Sequence, residues 1–151
     1  MPITRGFRRL VDDSLLEVIT YSVDQIIERR SRDRPDISLQ LVDIRDVREL
    51  EREGSIPGAL HAPRGMLEFW VDPESPYFKS IFADEDKEFV LFCGGGWRSA
   101  LAAKTLQDMG MTKIAHMDGG FTAWKAAQAE VISYQHHRSE STKPTAQDAN
   151  D

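Results

Sequence analysis

The segment from Glu88 to Ser99 constrains the fold more than any other. Glu88-Phe89-Val90-Leu91-Phe92 is a nearly continuous apolar run, broken by Cys93, three consecutive glycines, Trp97 and Arg98. A short run without polar alternation, bounded by a turn, reads as a strand buried on both faces, as in parallel sheets. From Ser99 to Met109 the spacing predicts a helix with Leu101, Ala102, Leu106 and Met109 inward and Gly110 as its stop. Strand, glycine turn and helix in that order form half of a parallel crossover.

The rest of the chain repeats the alternation. Ser22 caps a helix through Val23, Ile26 and Ile27, which Pro35 closes after Arg29-Arg30-Ser31-Arg32. Those arginines read as a solvated helix end. Leu39 to Ile44 is a strand, Val47 to Arg52 a short helix closed by Gly54, and Leu60-His61-Ala62 a second strand. Pro57-Gly58 suits a type II turn. Met66 to Phe82 carries Phe69, Trp70, Tyr77 and Phe78 among prolines and reads as a lid-like loop with helical pieces. Lys113 to Met117 is a strand, and Phe121 to Ala129 a last helix. The expected class is α/β, a central and mostly parallel sheet with helices on both faces.

At 151 residues the chain is long enough for one domain and too short for two. The expected organisation is an N-terminal extension over residues 1–21, a domain over 22–134 and a disordered tail over 135–151. From Gln135 onward the only hydrophobic residues are Ala146 and Ala149, too few to offset the entropy of ordering. With 19 basic and 25 acidic residues the net charge is −6, which argues against a nucleic-acid partner. No apolar run is long enough to span a bilayer, and no apolar region follows the basic N-terminus as in a secretory signal. A single cysteine excludes an internal disulfide and a multi-cysteine zinc site. The expected location is the cytoplasm, with no membrane partner.

The cysteine then carries the functional argument. It stands where a buried strand ends, the edge at which open α/β sheets bind ligands. Gly94, Gly95 and Gly96 let the backbone turn its N–H groups inward, and a helix N-terminus adds partial positive charge. Both favour a thiolate, the nucleophilic form, and Arg98 adds a permanent cation. A lone cysteine is more often an inert core residue. The conjunction of strand, cysteine, glycine turn, arginine and helix outweighs that reading.

Three stretches resemble the rhodanese family, the single-domain thiosulfate sulfurtransferases. Cys93-Gly94-Gly95-Gly96-Trp97-Arg98-Ser99 resembles the family's six-residue active loop. Leu41-Val42-Asp43-Ile44-Arg45, with Gly54-Ser55-Ile56-Pro57-Gly58-Ala59-Leu60 after it, resembles the upstream signature, with Ser55 where the family usually has histidine. Met117-Asp118-Gly119-Gly120-Phe121 with Trp124 resembles the downstream one. The resemblance spans roughly Ser22 to Ala129. It implies a rhodanese fold, Cys93 as the catalytic nucleophile and Gly94, Gly95, Gly96, Trp97, Arg98 and Ser99 as the substrate cradle. The implied partners are thiosulfate or another persulfide donor and a thiol or cyanide acceptor, with no metal or other cofactor. Asp43 and Arg45 are expected to brace the strand end. Arg98 is expected to bind the anionic donor, the alternative being that it braces the loop against a carboxylate.

Two other functions fit the same fold: a non-catalytic binding or regulatory module, and a phosphatase or arsenate reductase. Phosphate-handling relatives place five residues between cysteine and arginine, whereas Cys93 and Arg98 enclose four. His61 and His116 fall on expected strands and His136-His137 in the tail, with no ligand-like spacing. The oligomeric state is not legible in the sequence.

Overall fold

The computed structural model describes residues 1–135, so the expected tail, Gln135 apart, lies outside the described residues. The helices are α1 (Phe7–Leu15), α2 (Val23–Arg29), α3 (Val47–Glu53), α4 (Leu67–Val71), α5 (Trp97–Asp108) and α6 (Gly120–Ala126). The strands are β1 (Ile19–Tyr21), β2 (Leu39–Asp43), β3 (Leu60–His61), β4 (Glu88–Phe92) and β5 (Ile114–Met117). All pair in parallel, in the order β1-β5-β4-β2-β3. Parallel pairing follows from the helix carried by most of the links between strands.

Alternation of side chains across each strand makes two cores. Leu91 and Ile114 face one side with Val18, Leu67, Val71, Ala102, Ala103 and Leu106. Val90 and Ala115 face the other with Val23, Ile26, Phe121 and Trp124. The register pairs Val42 with Leu91 and Leu91 with His116, which aligns the carboxyl ends of β2, β4 and β5.

Local chemistry sets the element ends. Ser22 and Gln25 form a capping box on α2, and Asp46 and Glu49 another on α3. Gly58 has φ +78° and Ala59 N–H donates to Ile56 O at 3.1 Å, the bond that closes the Pro57-Gly58 turn.

Residues 1–21, the expected extension, hold α1, which packs on α5, and edge strand β1 of the sheet. Three expectations change. On α5 the buried positions are Ser99, Ala100, Ala102, Ala103 and Leu106, while Met109 is exposed. Small residues face the sheet because the helix lies close to it. The Met66–Phe82 segment holds the expected helical pieces, α4 among them, but Leu67, Val71 and Phe82 anchor it in the core. Arg29 pairs with Asp36 and Glu88, and Arg30 lies over the Trp124 ring and donates to Pro57 O, so neither is a free helix end.

Candidate active site

Cys93 follows β4 directly and is buried, its sulfur enclosed by the loop that leads into α5. What separates it from an inert core thiol is its polar shell. The Gly96 N–H donates to Sγ at 3.2 Å, and Ser99 Oγ lies 3.7 Å from it. Gly96 reaches this position with φ +111°, a conformation glycine adopts without strain.

The loop is held from below by α6. Phe121 N–H donates to Cys93 O at 2.8 Å, and Thr122 N–H to Gly94 O at 3.0 Å. Gly119 and Gly120 both have positive φ. A Cβ on Gly120 would collide with Cys93 O and would sit 2.7 Å from Gly94 O. The downstream Gly-Gly therefore allows backbone to pack on backbone directly under the cysteine.

Arg98 is clamped. Its Nη1 and Nη2 donate to the two oxygens of Glu49 on α3, at 2.7 and 3.0 Å. Glu49 holds the guanidinium above its usual range despite partial burial, with a smaller contribution from the Cys93 sulfur. In return the hydrogen bonds from Arg98 hold the Glu49 carboxyl below the usual carboxylate range. Bracing, the alternative role for Arg98, is the arrangement present. Glu49 was not singled out from the sequence. Its place at the third position of the Asp46 capping box was legible, but not its partner 49 residues away.

Asp43 and Arg45 meet as expected, fully buried, through Nε to Oδ1 at 2.9 Å and Nη2 to Oδ2 at 2.8 Å. Arg45 also donates to Gly54 O and lies 4.1 Å from the Phe121 ring centroid. Ser55, in the usual histidine position, donates to Asp43 Oδ2 at 2.7 Å and so completes this network. A buried ion pair is tolerable only when its remaining donors and acceptors are satisfied, as they are here. The network ties the end of β2, beside the cysteine loop, to Gly54 and α6.

Trp97 is the outward residue of the loop, half-exposed, with Phe7 of α1 at 4.9 Å between ring centroids and Arg8 over both rings. Sequence reading missed this contact, because nothing local links residue 7 to residue 97. His61 Nε2 lies 2.8 Å from Arg45 O, a structural bond. His116 is fully buried beside Ser99, and His136 and His137 lie outside the described residues. Among the described residues no group of His, Cys, Asp and Glu could hold a metal ion, and no helix is long and apolar enough to cross a membrane.

The rhodanese-like domain family matches residues 22–127. The thiosulfate sulfurtransferase GlpE of Shewanella oneidensis is 32% identical over 108 residues, covering 72% of this chain and 93% of its own. The human thiosulfate:glutathione sulfurtransferase is 31% identical over 90 residues, 56% of this chain and 77% of its own. A solved structure from Rhodopseudomonas palustris, of a protein described as of unknown function and a possible tyrosine phosphatase, is 48% identical. It has a TM-score of 0.82 and covers 87% of this chain and 98% of that one. On the match over most of its length, the chain belongs to the rhodanese-like domain family, whose relatives include named sulfurtransferases.

Proposed function

We propose that the chain transfers sulfane sulfur through a persulfide on Cys93. The observation that carries the reading is the polar shell of a buried sulfur at the carboxyl end of a parallel strand: Gly96 N–H, Ser99 Oγ and the Arg98 charge. The Cys93 thiolate attacks the outer sulfur of thiosulfate, the S–S bond of the donor breaks, and sulfite leaves with the electron pair. A thiol or cyanide then attacks the terminal sulfur, and Cys93 leaves as thiolate. Double displacement of this kind gives ping-pong kinetics.

Gly94 to Ser99 supply the cradle around the transferred sulfur, with Trp97 at its outer rim. Arg98 holds α5 to α3 through Glu49 and contributes its positive charge to an anionic donor. Asp43 and Arg45 support the loop from β2. The cytoplasm, with its reduced thiols, suits a reaction that uses a free thiolate and a thiol acceptor.

Phosphate chemistry is the competing reading, raised by the description of the Rhodopseudomonas palustris protein. Four residues between Cys93 and Arg98 make a smaller ring than phosphate-handling relatives have. Whole-protein mass spectrometry after thiosulfate exposure tests the proposal. The expected result is gain of one sulfur on Cys93, reversed by cyanide and absent in Cys93→Ser. Hydrolysis of an activated aryl phosphate at rates matching thiosulfate turnover would overturn it.

A further inference from the structure

A row of hydrogen-bonding groups runs from the Cys93 sulfur to the edge of the sheet. Ser99 Oγ is 3.7 Å from Sγ, His116 Nδ1 is 3.0 Å from Ser99 Oγ, and Thr20 Oγ1 is 3.1 Å from His116 Nε2. Cys93, Ser99 and His116 are buried, whereas Thr20, on edge strand β1 and in direct register with His116, is exposed. We infer that His116 is a positioning residue for Cys93, and that Cys93–Ser99–His116–Thr20 is the route by which the buried thiol gives up its proton. This deepens the sulfur-transfer reading and rests on it.

The argument is one of proton count. A neutral imidazole carries one N–H, so one ring nitrogen donates and the other accepts. Burial holds His116 below its ordinary range, against a weaker opposing pull from Asp118, and this keeps the ring neutral. With Cys93 as a thiol, S–H donates to Ser99, Ser99 O–H donates to Nδ1, and Nε2–H donates to Thr20. With Cys93 as a thiolate, Sγ takes a second donor beside Gly96 N–H, and in a persulfide the anionic outer sulfur takes one; the row then points the other way. Thr20 then donates to Nε2, Nδ1–H donates to Ser99, and the Ser99 hydrogen turns to the sulfur.

Going from the first state to the second moves the sulfur's proton to Ser99 Oγ, that of Ser99 to Nδ1, and that of Nε2 to Thr20. Thr20 releases its own proton to water. One proton leaves, the sulfur keeps its electron pair, and every other group keeps its proton count. Ser99 Oγ also lies 3.3 Å from Gly96 O, an alternative acceptor for its hydrogen. His116, donating from Nδ1, leaves that hydrogen available to the sulfur instead.

The direct test is the imidazole tautomer of His116 in the wild-type protein, read by long-range ¹H–¹⁵N NMR before and after loading with thiosulfate. The expected change is from Nε2–H in the thiol form to Nδ1–H once mass spectrometry shows sulfur on Cys93. A loaded protein with an unchanged tautomer overturns the inference and leaves sulfur transfer standing. The second arm needs no sulfur chemistry: alkylation of Cys93 by iodoacetamide at neutral pH. Loss of one charge-assisted hydrogen bond predicts that His116→Leu alkylates about fivefold to tenfold more slowly. His116→Asn, whose amide N–H₂ takes the place of Nδ1–H, should restore most of the rate. His116→Leu should add nothing in a Ser99→Ala background. Thr20→Val, at an exposed position, is expected to slow alkylation in the same direction. Equal rates in wild type, His116→Leu and Thr20→Val would overturn the inference. Failure of thiosulfate to load Cys93 would overturn the function instead, with the alkylation arm still deciding the role of His116.

Discussion

At the scale of single residues, Arg98 shows how a partner changes the meaning of a side chain. From the sequence it reads first as the cation that recognises an anionic donor. In the structure its fork is filled by both oxygens of Glu49, so its geometry serves the join between α5 and α3. A planar guanidinium on a carboxylate gives two directed, charge-assisted bonds that an ammonium does not reproduce. Arg98→Ala is therefore expected to lower kcat for thiosulfate about tenfold with a smaller rise in KM, and Arg98→Lys to recover only part. Steady-state kinetics on both variants check this. A large rise in KM at constant kcat would return Arg98 to the donor-binding role. The candidate site was legible at this scale in Cys93, the glycines and Ser99, because the features that single them out are carried by neighbours in sequence. The contacts of Glu49 with Arg98 and of His116 with Ser99 were not, because the fold brings each partner in.

At the scale of elements, α6 and α1 make opposite points. The Gly119-Gly120 pair stood out in the sequence as part of the downstream signature, and the close approach behind it explains why the second residue is glycine. Gly120→Ala would push a methyl into Cys93 O and Gly94 O at a positive φ. We expect it to cost about 2–4 kcal/mol in denaturant unfolding and to displace the loop, lowering sulfur loading in whatever protein folds. The N-terminal helix α1, by contrast, lay within what reads as an extension. Its Val11 and Ser14 are buried, and its Phe7 packs on Trp97 of the cysteine loop. Val11→Ala is expected to destabilise the whole domain by about 1–3 kcal/mol, with an unchanged dependence on urea concentration. An unaltered midpoint would make α1 an appendage. The helix escaped notice because its apolar face gains meaning only from α5, about ninety positions later in the chain.

At the scale of the whole molecule, shifts in titration set the response to acid. The unfolded chain takes up a proton on His116 as pH falls below about 6.5, while the buried ring in the native state resists. The unfolded state then binds more protons, so stability declines as pH falls below that value. Glu49 and Glu53, held below the ordinary value of 4.5 chiefly by Arg98 and Lys125, act in a lower window. The stability they contribute is present above 4.5 and is lost as pH falls through their native values. Denaturant titrations across pH 3–8 should show two stages of loss, and His116→Asn should remove the upper stage alone. An identical profile in that variant would show that burial of His116 does not set the upper window.

The sequence by itself determined the alternation of strands and helices, the capped start of α2, the cysteine loop and the family. All of these depend on periodicity, turn chemistry and motifs within about ten residues of chain. Only the tertiary structure decided which carboxylate holds Arg98, which histidine stands behind Ser99, and that β1 joins the sheet while α1 packs on α5. Those outcomes depend on strand order and register, which place Thr20 beside His116 across 96 positions and Glu49 beside Arg98 across 49. A parallel sheet brings the carboxyl ends of distant strands together, and the contacts made there exist only once the sheet has formed.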